Sequence, residues 1–295
     1  MKSEWPTLLV ALGCYLSYLG FTYFSGSLGL FVIPLLALTM TLHSSLQHEV
    51  LHGHPFRSQR LSEALVFPAI GLFIPYERFR DTHLRHHHDP NLTDPYDDPE
   101  SNYLDPAIWG ALPSWVKSVL RFNNTLFGRM LVGPLIGTVA FYKSDIDEMR
   151  GGDRTLTRAY LMHGLGVLLV LGWLWMVWEV SFWSYLLAAY VALSILKIRT
   201  FLEHRAHEAI PGRTVIIEDR GLLAFLFLNN NFHAAHHAHP KLCWYQLPDF
   251  YAQRKTSFLD RNRHYRYGSY WEIFREYLFA SKDEVPHPLM ENTQD

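Results

Sequence analysis

The sequence is poor in cysteine and in charge, and each shortage excludes a class of protein. The two cysteines, Cys14 and Cys243, lie far apart in unrelated contexts. They can build neither a disulfide framework nor a cysteine-ligated zinc or iron–sulfur site. Only 18% of the 295 residues are charged while 49% are apolar, which rules out a disordered or fibrous chain. The net charge of -2 makes no electrostatic case for nucleic acid. Charge is also missing locally: positions 5–47 hold no Asp, Glu, Lys or Arg, and positions 159–196 hold only Glu179. Two insulated blocks of that length point to a bilayer, although the mean hydropathy of -0.02 resembles that of a soluble protein because it averages over them. No repeat, heptad series or low-complexity linker interrupts the chain, so residues 1–295 read as one integrated membrane domain.

A spanning helix needs about 20 mostly apolar residues. Four segments qualify, at about 7–24, 28–47, 159–178 and 182–202. The expected fold is an all-α integral membrane protein, with four transmembrane helices in two hairpins and a helical cap formed by 48–158 and 203–295. The turns at 25–27 and 179–181 lack Lys and Arg, so the positive-inside rule places the 26 Lys and Arg, and the cap with them, on the cytosolic side. The first apolar run lacks a small-residue cleavage site and reads as an uncleaved anchor. Uncharged runs at 64–76 and 130–142 are too short to span and suit interfacial or re-entrant helices, or the core of a cytosolic domain. The tail 291–295 carries no evident retention signal, which favours a bacterial inner membrane.

Histidine is what the sequence has in excess. There are 17, against 7 lysines, and 13 fall within 48–54, 83–88, 204–207 and 233–239. Residues three and four apart share a helix face. His48 and His52 have that spacing, as do the triplets His83, His86, His87 and His233, His236, His237; His204 follows Glu203 beyond the fourth span. The eight imidazoles of the three boxes exceed what one tetrahedral zinc uses. Two metals with open positions fit better, and imidazole suits iron, copper, zinc and nickel alike. His43 and His163 lie inside spans and suit structural roles; His54, His88 and His239 flank the boxes; His207 competes with His204; His264 and His287 read as surface residues.

The stretches His-Glu-Val-Leu-His, His-Leu-Arg-His-His and His-Ala-Ala-His-His, in that order around two hairpin-sized intervals, resemble the histidine boxes of the integral-membrane fatty acid desaturase superfamily. That superfamily also includes alkane hydroxylases and carotenoid ketolases. The resemblance covers about residues 5 to 250, and Phe201-Leu202-Glu203-His204 looks like the extra histidine that members carry after their last span. It implies a non-haem di-iron centre held by His48, His52, His83, His86, His87, His204, His233, His236 and His237, with no catalytic group assigned beyond these ligands. It further implies O2 as oxidant, a lipid acyl substrate entering from the bilayer, and electrons from a ferredoxin, a rubredoxin or cytochrome b5 with its reductase. The expected reaction is acyl-chain desaturation. The alternative is hydroxylation or another C–H oxidation of an alkane, fatty acyl or carotenoid substrate, which the boxes do not separate from it. The chain departs from some members in having Thr200 where they place an Asn one turn before the extra histidine, and it has no His-Pro-Gly-Gly haem signature, so no cytochrome b5 is fused to it.

A metal-bound imidazole normally donates its other N–H to a carboxylate or carbonyl. Candidates are Glu49, Asp81, Asp89, Glu203 and the acids of the loop 94–100, with Asn229, Asn230 and Asn231 ahead of the third box. Arg254, Lys255, Arg261, Arg263 and Arg266 form a basic stretch suited to a phosphate-bearing carrier or to anionic lipid. Metal transport or binding is the competing class of function, but transporters place polar ligands near the bilayer midplane, where these spans are apolar.

Overall fold

The computed structural model describes residues 4–290; the tail 291–295, on which the inner-membrane expectation rests, lies outside them. The protein is mostly helical, and four helical stretches are long and apolar enough to cross a membrane: Trp5–Tyr23, Ser25–Leu51, Arg154–Val177 and Phe182–Thr200. All four coincide with the expected spans. The third begins earlier than its apolar run because Asp153 caps it, accepting from the Leu156 amide at 2.9 Å, and a capped end extends the helix through Arg154 and Arg158. It ends at Trp178, whose φ of 55° is left-handed. The exposed side chains of these helices are Leu12, Leu16, Leu165, Leu168 and Trp175 and their like, which suit lipid rather than water.

The two short uncharged runs form no helices of their own. Residues 64–76 leave the helix Gln59–Leu65 and pass into irregular backbone containing Pro68, Gly71 and Pro75, while 130–142 is absorbed largely into the helix Gly133–Arg150. The second run continues because the polar residues 143–150 carry no helix breaker.

The chain divides into two compact units, each assembled from two separated stretches: up to Asp81 with Pro134–Leu196, and Thr82–Gly133 with the chain from Lys197 onward. In the first unit Tyr18, Leu36, Met40, Tyr185, Ala188, Ala189 and Ala192 form a core. The three alanines let the fourth spanning helix approach closely, the packing mode favoured where lipid offers no hydrophobic gain. Polar groups fasten the unit: the Tyr185 hydroxyl donates to the Ile70 carbonyl at 2.7 Å, Trp173 Nε1 donates to Thr22 Oγ1 at 2.9 Å, and Tyr15 donates to the Leu65 carbonyl at 2.6 Å. His43 lies 3.2 Å from the Tyr15 hydroxyl and His163 donates to the Leu72 carbonyl at 2.7 Å, so both intramembrane histidines have the structural partners expected of them.

Where the helix Tyr76–His88 begins, Arg78 Nε meets the wholly buried Asp145 at 2.7 Å and its Nη2 meets Glu148 at 2.9 Å. Removing one partner of a buried ion pair strands the other charge. Asp145→Ala is therefore expected to destabilise the protein by about 3–5 kcal/mol, read as a lower unfolding temperature in detergent, while Glu148→Ala, at a half-exposed acid, costs far less.

The second unit adds one small feature to the all-helical expectation, a parallel pairing of Ile216–Ile217 with Arg266–Tyr267. Around it, Ile216, Phe232, Ala235, Leu247, Tyr251 and Phe258 form a core under the helix His233–Ala238. The segment after Tyr277 straps across this unit: Phe127 donates to the Leu278 carbonyl at 2.9 Å, Lys282 to that of Asn124 at 3.1 Å, Leu104 to that of Val285 at 3.0 Å, and His287 to that of Leu104 at 2.8 Å.

Candidate metal centre

Three pieces of the second unit bring histidines together. The helix Tyr76–His88 carries His83, His86 and His87 near its end, and the helix His233–Ala238 begins with its own triplet. That second helix starts sharply because Leu228 and Asn229, at φ 47° and 55°, turn the chain into it. His204 stands on an extended segment bridged to Thr214.

Their ε-nitrogens converge. His86 Nε2 lies 3.0 Å from His204 Nε2, which lies 3.1 Å from His233 Nε2, which lies 3.1 Å from His237 Nε2. One ligand atom from each of these four falls within 4.8 Å of one from every other. A second convergence joins His87 Nε2 to His83 Nε2 at 3.0 Å and to His236 Nε2 at 3.1 Å. In the first unit His48 and His52 sit one turn apart at the end of the helix Val32–Leu51, both buried, with ring centroids 4.9 Å apart. His207 is not in the group; its Nδ1 accepts from the Ala209 amide at 3.0 Å. His54, His88 and His239 also turn elsewhere, to Glu4, the Leu84 carbonyl and the Phe250 ring.

The δ-nitrogens explain why the ε-nitrogens point inward. His86 Nδ1 donates to Asp98 Oδ1 at 2.7 Å, His83 Nδ1 to Glu100 Oε1 at 2.8 Å, and His233 Nδ1 to Asn230 Oδ1 at 3.2 Å. Each contact holds the proton on the outer nitrogen and leaves the inner lone pair available, the tautomer a metal ligand needs. Asp98 is itself fixed, accepting from the Thr93 amide at 2.8 Å and the Glu100 amide at 2.9 Å. Glu203 accepts from Asn230 Nδ2 at 3.3 Å and pairs with Arg199 at 3.2 Å.

Among the acids named from sequence, Asp98 and Glu100 bond ring nitrogens of this cluster and Glu203 lies 3.7 Å from His233 Nδ1. Asp81 pairs with Arg80, Asp89 caps the Asn91 amide, and Asp97 accepts from Asn91. Of the three asparagines only Asn230 does so, since Asn229 donates to the Trp244 carbonyl and Asn231 to those of Ile217 and Asp219.

Charge in the cluster is coherent. Burial opposes a charge on His86, but Glu100 and Asp98 outweigh it and raise its pKa to about 9. Burial, joined by that neighbouring charge, holds His204, His233 and His237 well below the usual histidine range. The neutral rings of His204, His233 and His237 present uncharged nitrogen donors to a cation. Burial also works against ionisation of Glu100, yet the facing His83 and His86 hold its carboxyl well below the ordinary value; burial raises Glu203 despite Arg199.

Two expectations change in this unit. His287 is buried rather than on the surface, 3.2 Å from Thr93 Oγ1 and edge-on to the Tyr103 ring, because the C-terminal strap folds back over the loop that presents Asp98. The basic stretch is partly neutralised: Glu218 binds Lys255 at 2.6 Å and Arg266 at 2.7 Å, and Arg254 lies over the Phe250 ring.

Sequence reasoning missed Lys282, whose Nζ donates to the His204 carbonyl at 3.3 Å from the same strap, beside Asp283 at 3.6 Å. No local signal marks it, since it lies 78 positions from its partner. Lys282→Met is expected to loosen the His204 segment and lower metal affinity several-fold, checked by titration with a metal-binding competitor dye.

The family described as "Fatty acid desaturase" matches residues 6–269. A relative, "Beta-carotene ketolase" of Paracoccus sp. (strain N81106 / MBIC 01143), is 26% identical over 250 residues, covering 82% of this chain and 79% of that protein.

Proposed function

The chain belongs to the fatty acid desaturase family, and on that premise we propose that it is an O2-dependent, non-haem di-iron enzyme that introduces a double bond into a lipid acyl chain. The observation that carries the proposal is the convergence of His86, His204, His233 and His237 on one another through ε-nitrogens, with Asp98 and Asn230 behind two of them. Four imidazoles are a nitrogen-rich, uncharged donor set with no thiolate, which suits a redox-active iron better than a cysteine-bound structural zinc. The residues therefore fit the metal that the family implies.

His48, His52, His83, His86, His87, His204, His233, His236 and His237 are proposed to hold two iron ions. Bound iron supplies the activation of O2 and the removal of hydrogen from an unactivated methylene. The protein's own task is then positional and electrostatic. Asp98 and Glu100 keep His86 and His83 in the ligating tautomer and offset part of the cationic charge that neutral ligands leave unbalanced. With O2 and two electrons from the donor, loss of hydrogen from two adjacent carbons would give the alkene, and insertion of one oxygen atom of O2 into a C–H bond would give an alcohol. The two outcomes differ in how the acyl chain is held.

A second reading, hydroxylation or ketone formation on a lipid or carotenoid, is favoured by the ketolase relative. In either case the electrons come from a separate ferredoxin, rubredoxin or cytochrome b5 with its reductase, and the centre faces the cytosolic side of a bacterial inner membrane. The test is expression in a host with compatible electron carriers, with mass spectrometry of acyl chains, alcohols and carotenoids, beside a His86→Ala control. New double bonds in the wild type alone support desaturation. New alcohols or ketones alone support the second reading, and identical lipids in both strains overturn both.

A further inference from the structure

The helix Ser114–Asn123 buries none of its residues. Trp115, Val119 and Phe122 share one of its faces and are 71%, 40% and 37% exposed. The face continues beyond the helix: the Phe122 ring lies 6.1 Å from Phe127, which lies 5.6 Å from Phe279, itself 74% exposed. Backbone hydrogen bonding of Phe127 to Leu278 holds the two chain segments together. An aromatic surface of this kind is therefore built by the fold, not left by a frayed end. Isolated exposed apolar residues need no explanation, but a contiguous patch does.

The charge around it identifies what covers it. Positions 106–144 contain no Asp or Glu at all, while Lys117, Arg121, Arg129 and Lys143 lie within them. Lys117 and Arg121 stand on the flank of the helix, 5.8 and 5.3 Å from the centre of the Trp109 ring, so the apolar face has a basic edge; the acids Asp283 and Glu284 line a cleft beside Trp109 and Arg121. An amphipathic helix with aromatics on one side and cations beside them is the arrangement that lies in the headgroup layer of an anionic bilayer. Tryptophan prefers that layer because its ring is apolar and its N–H is not. The chain also brings a bilayer with it, since four of its helices are long and apolar enough to cross one.

We propose that the face formed by Trp115, Val119, Phe122, Phe127 and Phe279 is a membrane-docking surface for anionic lipid, separate from the spanning helices and from the histidine cluster. An acidic electron-carrier protein is the rival occupant. It suits the surface less well because the exposed area is mostly aromatic and aliphatic.

The chain's own cysteines, Cys14 and Cys243, are both buried, so a spin label directs itself to an introduced one. The full chain carrying Trp115→Cys, Val119→Cys or, on the opposite side of the helix, Lys117→Cys is labelled and reconstituted in phosphatidylcholine–phosphatidylglycerol vesicles. Relaxation by O2, which concentrates in lipid, is compared with relaxation by a water-soluble nickel chelate. The expected result is an O2-to-nickel ratio several-fold higher at 115 and 119 than at 117, falling when phosphatidylglycerol is omitted. Equal ratios at the three positions overturn the proposal. So does protection of 115 and 119 that arises only on addition of an acidic electron carrier. Two apolar-face variants guard against one of them misfolding.

Discussion

His86→Ala is expected to abolish product formation and to remove iron from the protein. His86 is one of four imidazoles whose ε-nitrogens face each other, and a site that loses one of four donors binds its metal far more weakly. The same change takes from Asp98, whose side chain is 1% exposed, its imidazole partner and leaves it the Thr93 and Glu100 amides. Loss of one charge-assisted hydrogen bond to a buried carboxylate costs about 1.5–3 kcal/mol, so part of the loss in His86→Ala is a loss of fold. His86→Asn separates the two effects: the amide N–H still faces Asp98 but the ε-nitrogen is gone. Comparable unfolding temperature with iron lost is the expected outcome for His86→Asn, measured by circular dichroism and metal analysis side by side. Iron retained at the wild-type level in a folded His86→Asn protein would remove His86 from the ligand set.

Asp98→Asn should weaken iron binding about 10–100-fold, the usual consequence of removing a carboxylate behind a ligating histidine. The carboxylate at 2.7 Å holds the proton on His86 Nδ1 and so keeps Nε2 free. An amide at the same place carries no charge and can present its NH2, which favours the opposite tautomer with the lone pair turned outward. Asp98 also accepts the Thr93 and Glu100 amides, and an amide oxygen can keep one of these. The expected signature is therefore lower affinity in a chelator-competition titration with little change in helicity. Glu100→Gln is expected to act in the same direction through His83 but less strongly, because Glu100 is more exposed than Asp98.

The sequence disclosed those parts of the architecture that depend on short-range periodicity. Four uncharged runs gave four helices long enough to span, because exclusion of charge from a bilayer is written residue by residue. The boxes were legible for a similar reason: spacings of three and four put His83, His86 and His87, or His233, His236 and His237, on one face whatever surrounds them. Partners contributed from a distance were not legible. Asp98 and Glu100 reach the cluster from a loop in which Asp94 and Asp97 only stabilise turns and neighbours, and composition cannot tell these acids apart. Lys282 and His287 act from the C-terminal strap, whose return across the 93–104 and 124–125 segments is a matter of tertiary pairing. The helix Ser114–Asn123 escaped notice because Lys117 and Arg121 interrupt the uncharged run that marks a membrane segment, although they are what makes it suited to a lipid surface.

The central claim, that the histidine cluster is an oxygen-activating iron centre, is tested most directly by metal analysis of the full chain purified from iron-replete cells. About two iron ions per chain, falling sharply in His204→Ala and His86→Asn, is the result expected of a histidine-rich site with two metals. Stoichiometric zinc in place of iron, or iron that is unchanged by those substitutions, would contradict it.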